Sequence, residues 1–186
     1  MEKGHITVIW CDWGDHDTAT LQKIWQDATN IDVIHITQWN DVMETCVSLA
    51  LEREDDTLLL CGHGTKYGLL APDTYSEYVV HDFNSSKIHA RKVIGLFCHA
   101  SSFAERNDLH GLFSSMFISN INEAVDYGVN SAGNEIDFCN DMVFDEVTKV
   151  LQGTATLDEC CSNIRALGRI VNHQVMEFNA SGIMLL

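Results

Sequence analysis

One proline, Pro72, stands in a chain of 186 residues, and 11 lysines and arginines face 27 aspartates and glutamates, for a formal net charge of −16. That shortage of base argues against nucleic acid as a partner, because phosphate binding rests on clustered Lys and Arg. The acids are spread along the chain without a long block, so their two uses are solubility and attraction of basic ligands. No apolar run approaches the roughly 20 residues of a membrane span. The opening MEKGHITVIWCDWGD has one lysine and a short apolar run broken by acids, too little for a signal peptide. No membrane is expected as a partner. Walker and Rossmann glycine patterns are missing too, since GHGTKYG is too short and lacks the P-loop lysine placement. Without repeats, low-complexity tracts or shifts of composition, one domain over residues 1–186 is expected.

What is present describes a packed globule: 46% of residues are hydrophobic, with eight Phe, four Trp and four Tyr. The seven cysteines are odd in number, and several sit inside apolar or helical segments, as Cys46 does in VMETCVSLAL and Cys61 after LLL. A disulfide framework is not expected, which fits a reducing cytoplasm.

Strand and helix signals alternate. HITVIW (5–10) is a short β-branched run, CDWGDHDT supplies turn residues and a cap, and ATLQKIWQDA reads as a helix. IDVIHIT (31–37) is a second strand. Asn40 or Asp41 caps a helix through VMETCVSLALERE, with Val42, Cys46 and Leu49 at helical spacing. Thr57–Cys61 is a third strand, EYVVHDF a short strand or hairpin arm, and SSKIHAR either a short helix or a linker. Lys92–Phe97 is the fourth strand and SMFIS (115–119) the fifth, before a helix INEAVDYG capped by Asn120. Helices follow from Glu135 to Leu151 and from Leu157 to about Phe178, and the apolar tail ASGIMLL is either buried or an edge strand. Nearly continuous apolar strands alternating with helices predict an α/β fold, a mostly parallel sheet with helices on both faces.

In such a sheet the ligand site lies at the carboxyl ends of the strands. His63 follows LLLC there, and Cys98 follows VIGLF. On neighbouring strands, roughly 4.8 Å apart, an imidazole and a thiol at matching ends form a nucleophile and its general acid/base. Gly64 removes a side chain beside the imidazole, so its N–H, with that of Cys98, is placed to meet a developing oxyanion. Taken singly, each residue also has a plain reading, a buried small hydrophobe and a loop histidine.

The order strand, His-Gly, strand, Cys resembles the caspase-like cysteine peptidases, the clan of caspases, metacaspases, clostripain, gingipains, separase and the CHAT domains. CGHG resembles the metacaspase GHG, FCHAS its Cys-His-Ser, and SMFIS-NINEA the strand and helix after the nucleophile in bacterial members; the likeness runs from about Ile6 to Val129. It implies a flavodoxin-like layering and a cysteine endopeptidase acting on polypeptides through an acyl-enzyme. Cys98 would be the nucleophile, His63 the general acid/base and Gly64 the oxyanion donor, with no cofactor and no metal. Metacaspases carry an aspartate two residues before the cysteine, where this chain has Leu96. In caspases the loop after the first strand contributes to the same pocket; here that loop is CDWGDHD, whose Asp12 and Asp15 are either the carboxylates for a basic substrate side chain or simply solvated charges, with an apolar preference as the alternative.

Other readings stay open on the residues alone. A non-catalytic or regulatory domain of the same fold needs no dyad. Cys61, His63, Cys98 and His99 are metal-ligand types near two strand ends. CDWGD would also suit the acidic pocket of a signalling α/β domain.

Overall fold

The computed structural model describes residues 4–186. Its main sheet has six strands in the order β2-β1-β3-β7-β8-β9. β1 (Ile6–Cys11), β2 (Ile31–Ile36), β3 (Thr57–Cys61), β7 (Lys92–Leu96) and β8 (Gly111–Ser114) run parallel, and β9 (Ile183–Leu185) pairs antiparallel with β8 at the edge. A second antiparallel sheet of three short strands, β4 (Gly64–Thr65), β5 (Gly68–Leu70) and β6 (Tyr78–His81), directly follows His63.

Because side chains alternate across a strand, the buried central strands feed two cores. Val8, Trp10, Leu59, Ile94 and Leu96 point to one face, where α5 (Gly133–Leu151), α6 (Leu157–Ile170) and α7 (Gln174–Ser181) pack on them. Ile9, Cys11, Leu58, Leu60 and Val93 point to the other, covered by α2 (Asp41–Leu51), α3 (Ala100–Arg106) and the small sheet. The expected α/β architecture with both faces covered is what forms. No helix among the described residues is long and apolar enough to cross a membrane.

Four local expectations are corrected. The helix after β1 is only α1 (His16–Thr20), which tightens into a 3-10 turn over Leu21–Ile24 where the Thr18 carbonyl accepts the indole N–H of Trp10 at 2.9 Å. In α2, Val42, Cys46 and Leu49 face outward, while Val47, Ala50 and Leu51 are buried. Two apolar stripes share this helix, and spacing alone does not choose between them.

The fifth strand is Gly111–Ser114, one segment earlier than SMFIS. The backbone of 115–118 is satisfied elsewhere: Ser115 N–H donates to Gly182 and its carbonyl accepts from His99, while the Asn179 amide both accepts from Ile118 N–H and donates to its carbonyl. With those groups paired, no ladder is left to form. Gly111 reads as loop, but a Cβ there would lie 1.9 Å from the Val93 carbonyl oxygen, so only glycine lets β8 approach β7. Finally, the helix from Leu157 breaks at Val171–His173, where the His173 ring accepts the Val175 N–H and starts α7. The tail does supply the edge strand, β9.

Candidate active site

β3 and β7 are hydrogen-bonded neighbours, with Cys61 opposite Leu96. The chain therefore leaves both strands at the same level, with His63 and Cys98 each two residues beyond the paired ends. They line one narrow cleft of about 40 Å³, together with Gly62, Leu96, Asp17 and Phe117. That volume holds little more than a water or two.

The flanking glycines have distinct reasons. Gly62 sits at φ 142°, and a Cβ there would lie 2.7 Å from the Cys11 carbonyl oxygen. A Cβ on Gly64 would lie 2.2 Å from the Phe97 ring. The CGHG turn is thus compressed between β1 on one side and Phe97 on the other, which fixes the backbone that carries the imidazole. Gly64 begins β4, paired with Leu69, and it is Gly62 that lines the cleft.

His63 is held from its far side. Its Nε2 lies 2.7 Å from Asp15 Oδ2, and the Trp13 ring meets it edge-on at 5.3 Å between centroids. An ionised carboxylate only accepts, so Nε2 carries the proton and Nδ1 is left as the basic nitrogen. Among the described residues Nδ1 makes no hydrogen bond. Asp15 is also the N-cap of α1, accepting from Thr18 N–H at 2.8 Å and from the Thr18 hydroxyl at 2.7 Å. Partial burial pushes its pKa up, but the hydrogen bonds from Thr18 and His63 outweigh that and hold it below the usual aspartate value. Asp12 is engaged elsewhere: His35 lies 2.8 Å from its Oδ2, and Gly14 N–H donates to Oδ1.

Cys98 stands in a tight turn between β7 and α3. His99 takes the left-handed conformation at φ 64° and donates its N–H to Ser115, while the Ser114 hydroxyl accepts from Phe97 N–H and donates to the Phe97 carbonyl. Positive φ at a non-glycine is uncommon; here it turns the chain so sharply that the thiol is left at the cleft. Burial pushes the Cys98 pKa up to about 11, and the carboxylates of Glu123 and Asp17 add to it, against hydrogen bonds from the backbone N–H groups of Phe117 and Cys98 itself. The thiol is protonated at neutral pH. The groups that shift it include no imidazole, so the expected lowering by His63 does not occur and desolvation dominates.

All seven cysteines are free, Cys46 exposed, Cys98 half-buried and the other five buried. Cys61 is fully buried, with its sulfur 3.7 Å from the Ile9 carbonyl. Among the described residues no group of three or more His, Cys, Asp or Glu side chains is placed to hold a metal ion, the set Cys61, His63, Cys98 and His99 included.

Sequence reasoning missed Asp17 and Trp13. Both lie in the loop CDWGDHD that it did single out, but which carboxylate faces the cleft depends on where Asp15 starts α1. Asp17 accepts from the Asn120 amide at 2.5 Å, which links that loop to the start of α4 (Ile121–Asp126). No protein-family model matches this chain, and a comparison with curated proteins finds no relative.

Proposed function

We propose that the protein is a caspase-like cysteine endopeptidase in which Cys98 attacks the scissile carbonyl and His63 serves as general base and then general acid. The observation that carries this reading is the placement of an imidazole with a free Nδ1 and a thiol on one cleft, from the ends of adjacent parallel strands. A thiol of pKa about 11 ionises to roughly one part in ten thousand at pH 7. The base must therefore take the proton as the carbon–sulfur bond forms, passing it to the leaving amine when the acyl-enzyme is made. Water then hydrolyses the thioester. Asp15, bonded to the opposite nitrogen, fixes the tautomer and supports the imidazolium.

The substrate is a polypeptide. With Asp15 on His63 and Asp12 on His35, the carboxylate that lines the cleft is Asp17, which a basic side chain reaches only if the cleft of about 40 Å³ widens on binding; Leu96, on the same wall, favours an apolar one. A second reading, a non-catalytic domain of this fold, is favoured by the burial and raised pKa of Cys98.

A positional peptide library and a peptidyl chloromethyl ketone separate the two. Cleavage lost by about 10²-fold or more in Cys98→Ala and in His63→Ala, with the ketone on Cys98, supports the peptidase. Iodoacetamide should reach exposed Cys46 first at pH 7, with Cys98 labelling accelerating as pH rises toward 10. Absence of turnover, with the ketone no faster on Cys98 than on Cys46, establishes the non-catalytic domain.

A further inference from the structure

Base is scarce in this chain, and its placement is uneven. Lys23, Arg53, Lys87, Lys92, Arg106 and Lys149 each meet a carboxylate. Among the described residues Lys66, Arg91 and two residues of α6 do not; those two are Arg165, whose Nη2 donates to the Ile183 carbonyl at 3.3 Å, and Arg169. They lie one turn apart on α6, on either side of Gly168, and both face a groove of about 630 Å³ between α6 and α7.

The groove has a built floor. A Cβ on Gly168 would lie 2.6 Å from the Ala180 side chain, so the two helices touch at small residues. His173, which caps α7, also lines the groove. Its Nδ1 accepts from Val175 N–H and lies 3.5 Å from the Cys139 thiol, so Nε2 carries the proton, with Glu135 at 3.7 Å. Asn172 and Gln174 add neutral donors, and Glu177 is the one carboxylate on the described wall. This groove shares no residue with the cleft at Cys98.

We propose that the α6–α7 groove binds a small phosphate-bearing anion through Arg165 and Arg169. Each guanidinium presents a planar fork that matches a phosphate in two hydrogen bonds, and two of them together meet a dianion. The volume falls within the range of small-molecule sites. Two of the four described cations without a carboxylate share this one groove, and in so acidic a molecule that is the charge pattern such a ligand requires.

The test is the thermal midpoint of the full chain titrated with pyrophosphate, at ionic strength held constant with sodium chloride. A saturable rise is expected for the wild type, weakened by about tenfold in apparent affinity for each guanidinium removed and lost in R165Q/R169Q. Gln keeps helix propensity at these exposed sites, so the double variant should fold. R91Q, which removes another arginine with no ion pair among the described residues, should respond like the wild type. No rise in the wild type, an equal rise in the double variant, or a loss in R91Q overturns the site. Citrate acting as well as pyrophosphate overturns the phosphate class.

Discussion

Asp15 joins two tasks in one carboxylate: it caps α1 through Thr18 and holds His63 through Nε2. Asp15→Asn separates them, because the amide oxygen still caps a helix while the charge facing the imidazole is gone. Under the peptidase reading, kcat should fall by at least about tenfold with KM little changed, whereas Asp15→Ala should also lose about 1 kcal/mol of stability. The pH signature follows from its depressed pKa. A carboxylate with a folded value below its unfolded value of about 3.9 stabilises the fold above that pH and loses the contribution as pH falls through the folded value. The Asn variant should therefore show a shallower decline in thermal midpoint between roughly pH 4 and 2. An unchanged acid limb and unchanged kcat would leave Asp15 as a surface cap.

Among the elements, the edge strand β9 has the clearest consequence. Ile183 is fully buried, Leu186 exchanges two 3.0 Å backbone hydrogen bonds with Gly111, and β8 beside it is buried along its whole length. Deleting 183–186 uncovers the β8 edge and removes a side chain whose burial is worth about 1.5–3 kcal/mol. The shortened chain should melt earlier and associate with rising concentration, since an open apolar edge is a template for pairing. Calorimetry with light scattering checks both; an unaltered midpoint would show that α6 and α7 alone protect β8. The same scale explains the misread segments. Gly111 looked like loop because only the Val93 carbonyl beside it reveals the close approach, and SMFIS looked like strand because its pairing with Asn179, 61 residues on, is invisible locally.

For the whole molecule the acid surplus dominates. With a net charge of −16, repulsion among like charges is expected to exceed what the surface ion pairs return. Raising sodium chloride from about 0.01 to 0.15 M shortens the screening length from about 30 to 8 Å, and the thermal midpoint should rise. A fall would mean that pairs such as Lys92–Asp56 and Arg106–Asp82 outweigh the net repulsion.

The α/β class and four of the five parallel strands were legible in the chain itself, because apolar period and turn residues are local properties. That His63 and Cys98 line one cleft follows from β3 and β7 being neighbours, which the order of strands in the chain suggests without fixing. Three things were decided by packing: which apolar stripe of α2 turns inward, which of three loop carboxylates meets the histidine and which meets the cleft, and the state of the Cys98 thiol. Each depends on desolvation and on partners distant in sequence. A Cys after VIGLF reads the same whether its surroundings lower or raise its pKa; the buried cleft, with Glu123 and Asp17 beside it, raises it.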